Sequence, residues 1–233
     1  MRTDEVVILA GGLGTRLSKT VPGVQKCMAP VNGLPFLYFL IKYLNQYNTK
    51  RFILSLGHLH ENIQGFVDSH FSGLDVVYSI ETFPLGTGGA IKKALGKSES
   101  ESVIVINGDT FFNVDLHRLK TKFRLAHCDC MIALKPMKDF DRYGTVETSN
   151  GKIIAFKEKQ RYAEGLINGG IYIMKNDLLA SDNFPEVFSF EKDYLEKQID
   201  TDKIYGEVFD EYFIDIGIPE DYYRAQEELR QFI

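Results

Sequence analysis

Four short apolar runs in the first half of the chain each lead into a helical pattern, and this alternation constrains the fold more than any other feature. Val6-Val7-Ile8-Leu9-Ala10 is continuously apolar and ends in glycines, as expected of a strand buried on both faces of a parallel sheet. Leu37, Leu40, Ile41 and Leu44 then recur on one helical face. Phe52-Ile53-Leu54-Ser55-Leu56 reads as the second strand, and a polar helix is expected over 61–68. Val76-Val77-Tyr78-Ser79-Ile80 is the third, with a short helix over 90–95. Val103-Ile104-Val105-Ile106-Asn107 is the fourth and ends in Gly-Asp, after which Leu116, Leu119 and Phe123 return to helical spacing.

Right-handed crossovers between such strands place helices on both faces of one sheet. The second half is richer in strand signals, at 131–134, 145–148, 152–156, 170–174 and 205–209, with Asn150-Gly151 as a hairpin turn. Pro219 opens a closing helix in which Tyr222, Ala225, Gln226 and Leu229 are spaced to pack inward. The expected fold is α/β: a Rossmann-like, doubly wound mixed sheet with a strand-rich elaboration that binds substrate.

Composition narrows the function classes. The chain has 233 residues, 44% hydrophobic and 25% charged, which suits an ordinary globular protein of one large domain or two small ones. A formal charge of −5 argues against a broad basic surface for nucleic acid. No apolar run approaches the roughly 18 residues of a membrane span, and Met1-Arg2-Thr3-Asp4-Glu5 enters the first strand without the features of a signal peptide. Three cysteines are too few for a disulfide framework, so a reduced, cytoplasmic protein is expected. His127-Cys128-Asp129-Cys130 and the pair His58 and His60 lack the second ligand pair of a zinc site. One of Cys128 and Cys130 is expected as a small core filler, and Phe111-Phe112 and Tyr222-Tyr223 are read as packing.

The strongest local signal is Leu9-Ala10-Gly11-Gly12-Leu13-Gly14-Thr15-Arg16-Leu17, directly after the first strand. Glycines at the carboxyl end of a strand let backbone approach a phosphate, and their free N–H groups supply donors. The dinucleotide spacing G-x-G-x-x-G, started at Gly12, needs glycine where Leu17 stands. A Walker A loop started at Gly11 or Gly12 fails as well. What remains is G-G-x-G-T-R-L followed by Lys26 in Gln25-Lys26-Cys27-Met28-Ala29-Pro30. Arg16 and Lys26 suit a polyphosphate whose charge grows on the leaving group. By itself the cluster reads as a glycine-rich turn with surface cations; the motifs downstream reverse that order.

Those motifs are Pro84-Leu85-Gly86-Thr87-Gly88-Gly89-Ala90, Asn107-Gly108-Asp109, Glu158-Lys159, Asn168-Gly169-Gly170-Ile171-Tyr172 and Asp215-Ile216-Gly217. Together with the glycine loop and Lys26, the set resembles the sugar-1-phosphate nucleotidyltransferase family nearly end to end and in the family's order. Val31-Asn32-Gly33-Leu34-Pro35-Phe36-Leu37 and Asn107-Gly108-Asp109-Thr110-Phe111-Phe112 look most like its heptose 1-phosphate guanylyltransferases. Two departures stand out: Gln25 and Cys27 flank Lys26 where the family commonly has prolines, and Glu158-Lys159-Gln160 replaces Glu-Lys-Pro. Both leave the charges in place and bear on loop rigidity.

The resemblance implies a GT-A-like fold, Mg²⁺, a nucleoside triphosphate and a sugar 1-phosphate. It implies catalytic roles for Arg16, Lys26 and Asp109, and nucleotide contacts from Leu9, Gly11, Gly12, Gly14, Thr15, Glu81, Gly86 and Thr87. The sugar phosphate falls to Gly144, Glu158, Lys159 and Asn168, and the metal to Asp109 and Asp215. The residue types suit these tasks. Asp109 lies just past the fourth strand and Asp215 ends another apolar run, so with triphosphate oxygens they make a hard oxygen site; either alone would read as a turn or cap residue.

Glu81, five residues before Gly86, stands where such families place a base-reading side chain. An ionised carboxylate only accepts hydrogen bonds, and guanine offers N1–H and its N2 amine side by side. Uracil and thymine offer one donor flanked by carbonyls, so GTP is favoured. A phosphate monoester is mostly dianionic at neutral pH, its second pKa being about 6, so the acceptor needs positioning and no general base. The expected activity joins GTP to a heptose 1-phosphate for a bacterial surface glycan. A mannose 1-phosphate guanylyltransferase, a uridylyl or thymidylyl relative and a non-catalytic nucleotide-sugar-binding regulator are the alternatives. The motifs occupy the chain from Gly11 to Asp215, so 1–233 is expected to be one catalytic domain, with a nucleotide half over about 1–127 and a sugar-phosphate half over 128–233.

Overall fold

The computed structural model describes residues 3–12, 17, 20–181, 184–201 and 203–232. The first half runs β1 (Glu5–Leu9), a small hairpin of β2 (Pro30–Val31) and β3 (Leu34–Pro35), α1 (Phe36–Asn45), β4 (Arg51–Leu56), α2 (His60–His70), β5 (Asp75–Ile80), α3 (Gly86–Leu95), β6 (Ser102–Asn107), β7 (Thr110–Phe112) and α4 (Leu116–Ala126). The second half adds β8 (Cys130–Phe140), β9 (Val146–Ser149), β10 (Lys152–Phe156), β11 (Tyr162–Lys175), β12 (Ile204–Val208), β13 (Phe213–Asp215) and α5 (Pro219–Glu228).

One nine-stranded sheet has the order β5-β4-β1-β6-β11-β8-β12-β10-β9. Its first four strands are parallel, as the alternation requires. β11 enters antiparallel to β6 and β8, β12 runs parallel to β8, and β10 and β9 finish the sheet antiparallel. Successive side chains of a strand face opposite sides, and both sides are covered. Val6, Ile8, Phe52, Leu54, Ile104 and Ile106 pack into a core with α1, α2, α4 and α5. Val7, Ile53, Val103 and Val105 pack into a second core with α3 and a π-helical turn over Phe190–Leu195. Burial on both faces is why these strands read as unbroken apolar runs. Asp115 caps α4 by accepting from the N–H groups of His117 and Arg118, which would otherwise lack partners.

The chain differs from its sequence reading in several places. α3 begins at Gly86, ahead of the expected start at 90, so the Gly-Thr-Gly-Gly motif is the first turn of the helix. β8 and β11 are far longer than the apolar patches that announced them, because their outer halves leave the core and pair with each other over solvent-facing residues. The ribbon of β7 and β13 was not anticipated, since each strand is only three residues long. Cys128 and Cys130 are both buried, one in each core, because Cys128 precedes the strand that Cys130 begins. Tyr222 is buried, but Tyr223 beside it is 61% exposed, which corrects the reading of both as packing residues. Asn150 and Gly151 form the expected turn between β9 and β10, with φ of 51° and 81°. Among the described residues no helix is long and apolar enough to cross a membrane.

Candidate active site

A cleft of about 1080 Å³ opens at the carboxyl ends of the parallel strands, where open α/β sheets take their ligands. Leu9 ends β1 and Gly11 and Gly12 follow it, Gly57 and His58 follow β4, Ile80 ends β5 before Glu81, and Asn107 ends β6 before Asp109, all lining it. Gly14, Thr15 and Arg16 lie outside the described residues.

Glu81 is half-buried and lines this cleft. Its Oε2 accepts the Leu85 N–H at 3.0 Å, and its Oε1 lies 3.5 Å from the Ser55 hydroxyl. A Cβ on Gly11 would stand 2.9 Å from that Oε1, so glycine here makes room for the glutamate as well as for a ligand. Gly12 has open space where its Cβ would be. Gly86 has φ +71°, and a side chain there would meet the Phe188 carbonyl at 2.5 Å. The Thr87 hydroxyl donates to Glu191 at 2.7 Å and accepts the Phe190 N–H at 2.9 Å. Glu191 therefore joins the cleft wall from the distant π-helical turn.

The acidic pair is assembled by backbone. β13 pairs with β7 so that Asp215 faces Thr110, and the Ile216 N–H donates to the Asp109 carbonyl at 3.0 Å. The Lys26 ammonium sits between the two acids, bonded to Asp109 Oδ2 and 3.6 Å from Asp215 Oδ1. Asp215 also accepts the Gly217 N–H at 2.7 Å and the Tyr143 hydroxyl at 3.3 Å, with Arg142 3.6 Å away. Burial, then the charge of Asp109, push the Asp215 carboxyl above the usual carboxylate range, while Lys26, Gly217 and Arg142 pull the other way. Two carboxylates that share the Lys26 ammonium form a hard oxygen donor set that fits Mg²⁺, which uses few protein ligands beside phosphate oxygens and water. No cluster of three or more His, Cys, Asp or Glu among the described residues competes for that role.

Lys26 is carried by a short 3-10 turn, Lys26–Met28. Cys27 is buried behind it, its thiol directed at the Ala10 carbonyl at 3.8 Å, and the Gln25 amide donates to the His58 carbonyl. These contacts anchor the turn where the family's prolines were missing.

The residues assigned to the acceptor are not among those lining this cleft; they lie on β11 and in the loops that follow β8 and β10. Gly144 packs so closely on the Lys157 carbonyl that no side chain could stand there. Asn168 sits at a bulge in β11, accepting the Gly170 N–H at 3.0 Å and donating to the Tyr172 hydroxyl at 2.9 Å. Glu158 and Lys159 are exposed between β10 and β11, the Glu158 carbonyl being held by the Tyr162 hydroxyl at 2.9 Å. Lys157 beside them pairs with Glu147 at 3.5 Å, as a solvated strand end would. Sequence reasoning missed Arg142, Tyr143 and Glu191. The first two adjoin Gly144 and could have been found as a cation and a phenol beside an assigned residue; Glu191 had no periodic signal, because π-helical spacing matches neither template.

Comparison with known proteins places the chain in a family. Residues 5–231 match the family described as nucleotidyl transferase. The chain is 48% identical to the D-glycero-α-D-manno-heptose 1-phosphate guanylyltransferase of Aneurinibacillus thermoaerophilus, covering 98% of this chain and 100% of the relative. It is 45% identical to the enzyme of the same description from Campylobacter jejuni, over 94% and 97% of the two chains. Among solved structures, HddC from Yersinia pseudotuberculosis complexed with GMP-PN superposes with a TM-score of 0.84 at 39% identity, covering 97% of this chain and 99% of that one. The chain belongs to the nucleotidyl transferase family.

Proposed function

We propose that this chain transfers GMP from GTP to D-glycero-α-D-manno-heptose 1-phosphate, giving GDP-heptose and pyrophosphate for a bacterial surface glycan. The observation that carries the chemistry is the convergence of Lys26, Asp109 and Asp215 beside a cleft that Glu81 lines. The relatives of the same length that act on this heptose phosphate support the acceptor. We place the reaction in the cytoplasm, where GTP is available.

Glu81 reads the guanine edge with the acceptor capacity its oxygens retain after binding Leu85 and Ser55. Lys26 and Arg16 take the triphosphate, with Gly11, Gly12, Gly14, Thr15, Gly86 and Thr87 shaping its bed. Asp109 and Asp215 would hold Mg²⁺, which when bound neutralises charge on the triphosphate. Lys159 holds the acceptor phosphate, and Glu158, Asn168 and Gly144 read the sugar. Because the acceptor phosphate is already dianionic, the protein's task is alignment and charge stabilisation, and no side chain needs to remove a proton.

Pyrophosphate release from each of the four common nucleoside triphosphates with a panel of sugar 1-phosphates tests the reading. GTP with the heptose 1-phosphate is expected to give the highest kcat/KM. Preference for mannose 1-phosphate would overturn the acceptor, and preference for UTP or dTTP would overturn the base.

A further inference from the structure

We propose that Gln25 is a positioning residue for the reaction: its side-chain amide latches the Lys26 turn to the wall of the nucleotide cleft at His58, fixing where the lysine enters the site. This rests on the guanylyltransferase reading for what Lys26 does, and on geometry for the latch itself. Gln25 is 5% exposed although its side chain is polar and uncharged, and its amide donates to the His58 carbonyl. A buried amide is costly to leave unpaired, so the bond holds the two segments together.

The two segments meet at this bond from separate parts of the chain. His58 follows the end of β4 and precedes Leu59, which has φ +59°, a left-handed conformation that a leucine adopts only when its surroundings enforce it. His58, Leu59, His60 and Glu61 all line the cleft, so this bend forms the wall a nucleotide would lie against. On the other side of the bond, Gln25 supplies the carbonyl that accepts the Met28 N–H and so closes the turn carrying Lys26. One residue thus ends both structures: its backbone closes the lysine turn and its side chain secures the bend at Leu59. The Lys26 ammonium reaches Asp109 from this base, and a shift of its starting point would misplace it where leaving-group charge develops.

The test uses Gln25→Met, which keeps volume and loses the donor, and Gln25→Glu, which keeps shape and sets a carboxylate against the carbonyl. In the full chain, each is expected to lower kcat roughly 10- to 100-fold, with a thermal midpoint within a few degrees of the parent. Combined with Lys26→Ala, Gln25→Met is expected to add almost nothing to the loss in kcat, since it acts through that lysine. Losses that multiply in the double variant, or an unchanged kcat in both single variants, would overturn the proposal. Hydrogen exchange of the ligand-free protein supplies a readout independent of turnover: Gln25→Met should raise exchange over both 24–29 and 57–61. A change confined to 24–29 would refute the latch. Should the parent chain release no pyrophosphate from GTP with any sugar 1-phosphate, the guanylyltransferase reading fails, and exchange still decides the latch.

Discussion

Glu81 is oriented before any ligand arrives, with one oxygen on the Leu85 N–H and the other beside Ser55 and Gly11. Glu81→Gln substitutes a donor for one acceptor and is expected to reduce kcat/KM for GTP about 10²-fold, narrowing its margin over UTP; assays with all four nucleotides check it. The cysteines carry a different expectation. Burial, helped by the nearby Asp109 charge, pushes the Cys27 thiol up to about 12, and burial raises Cys128 to about 12 and Cys130 in the same direction. At pH 8 all three should resist a disulfide reagent such as dithionitrobenzoate in the native state and react on unfolding, read as released thionitrobenzoate. The folded pKa values lie above the unfolded thiol value of 9.0, so this contribution to stability is complete below pH 9 and declines as pH rises toward 12.

The helix α3 shows how an element can be legible in kind and misread in extent. Its glycines lower helix propensity, so periodicity alone starts the helix at 90. In the fold, Gly88 and Gly89 are where the segment from Glu186 to Glu191 lies directly on the helix; Gly88 faces the Phe188 ring, and its N–H donates to the Phe188 carbonyl at 2.9 Å. Close packing outweighs the propensity. Gly88→Ala would drive a methyl into that ring and is expected to cost roughly 1–3 kcal/mol, measurable by urea unfolding, with part recovered by Phe188→Leu. The parallel strands, by contrast, were readable residue by residue, since burial on both faces writes itself directly into composition. The ribbon of β7 and β13 and the π-helical turn were not, because three-residue strands and a rare helical spacing leave no periodic trace.

Across the whole molecule, packing crosses the expected division at about residue 127. α5 returns to the first half: its Tyr222 and Ala225, with Leu229 just beyond it, join the core around α1. Its Tyr222 hydroxyl and Gln226 amide donate to the Pro30 carbonyl at 2.6 and 2.9 Å, while the Asn32 N–H donates to Gln226 at 3.0 Å. Gln226→Ala removes these two side-chain bonds and is expected to destabilise by about 1–2 kcal/mol, seen as a lowered thermal midpoint and faster proteolysis of the β2–β3 hairpin. The motif list gave the members of the acidic site, but not the backbone that joins them. That backbone sets how the molecule can move. Asp109 and Asp215 hang from neighbouring rungs of one ribbon, so their spacing is governed by strand register. Any movement of the loops around Gly144 and Glu158 that leaves this ribbon paired therefore leaves the spacing of the acid pair unchanged, as a hinge pin stays fixed while its two leaves swing.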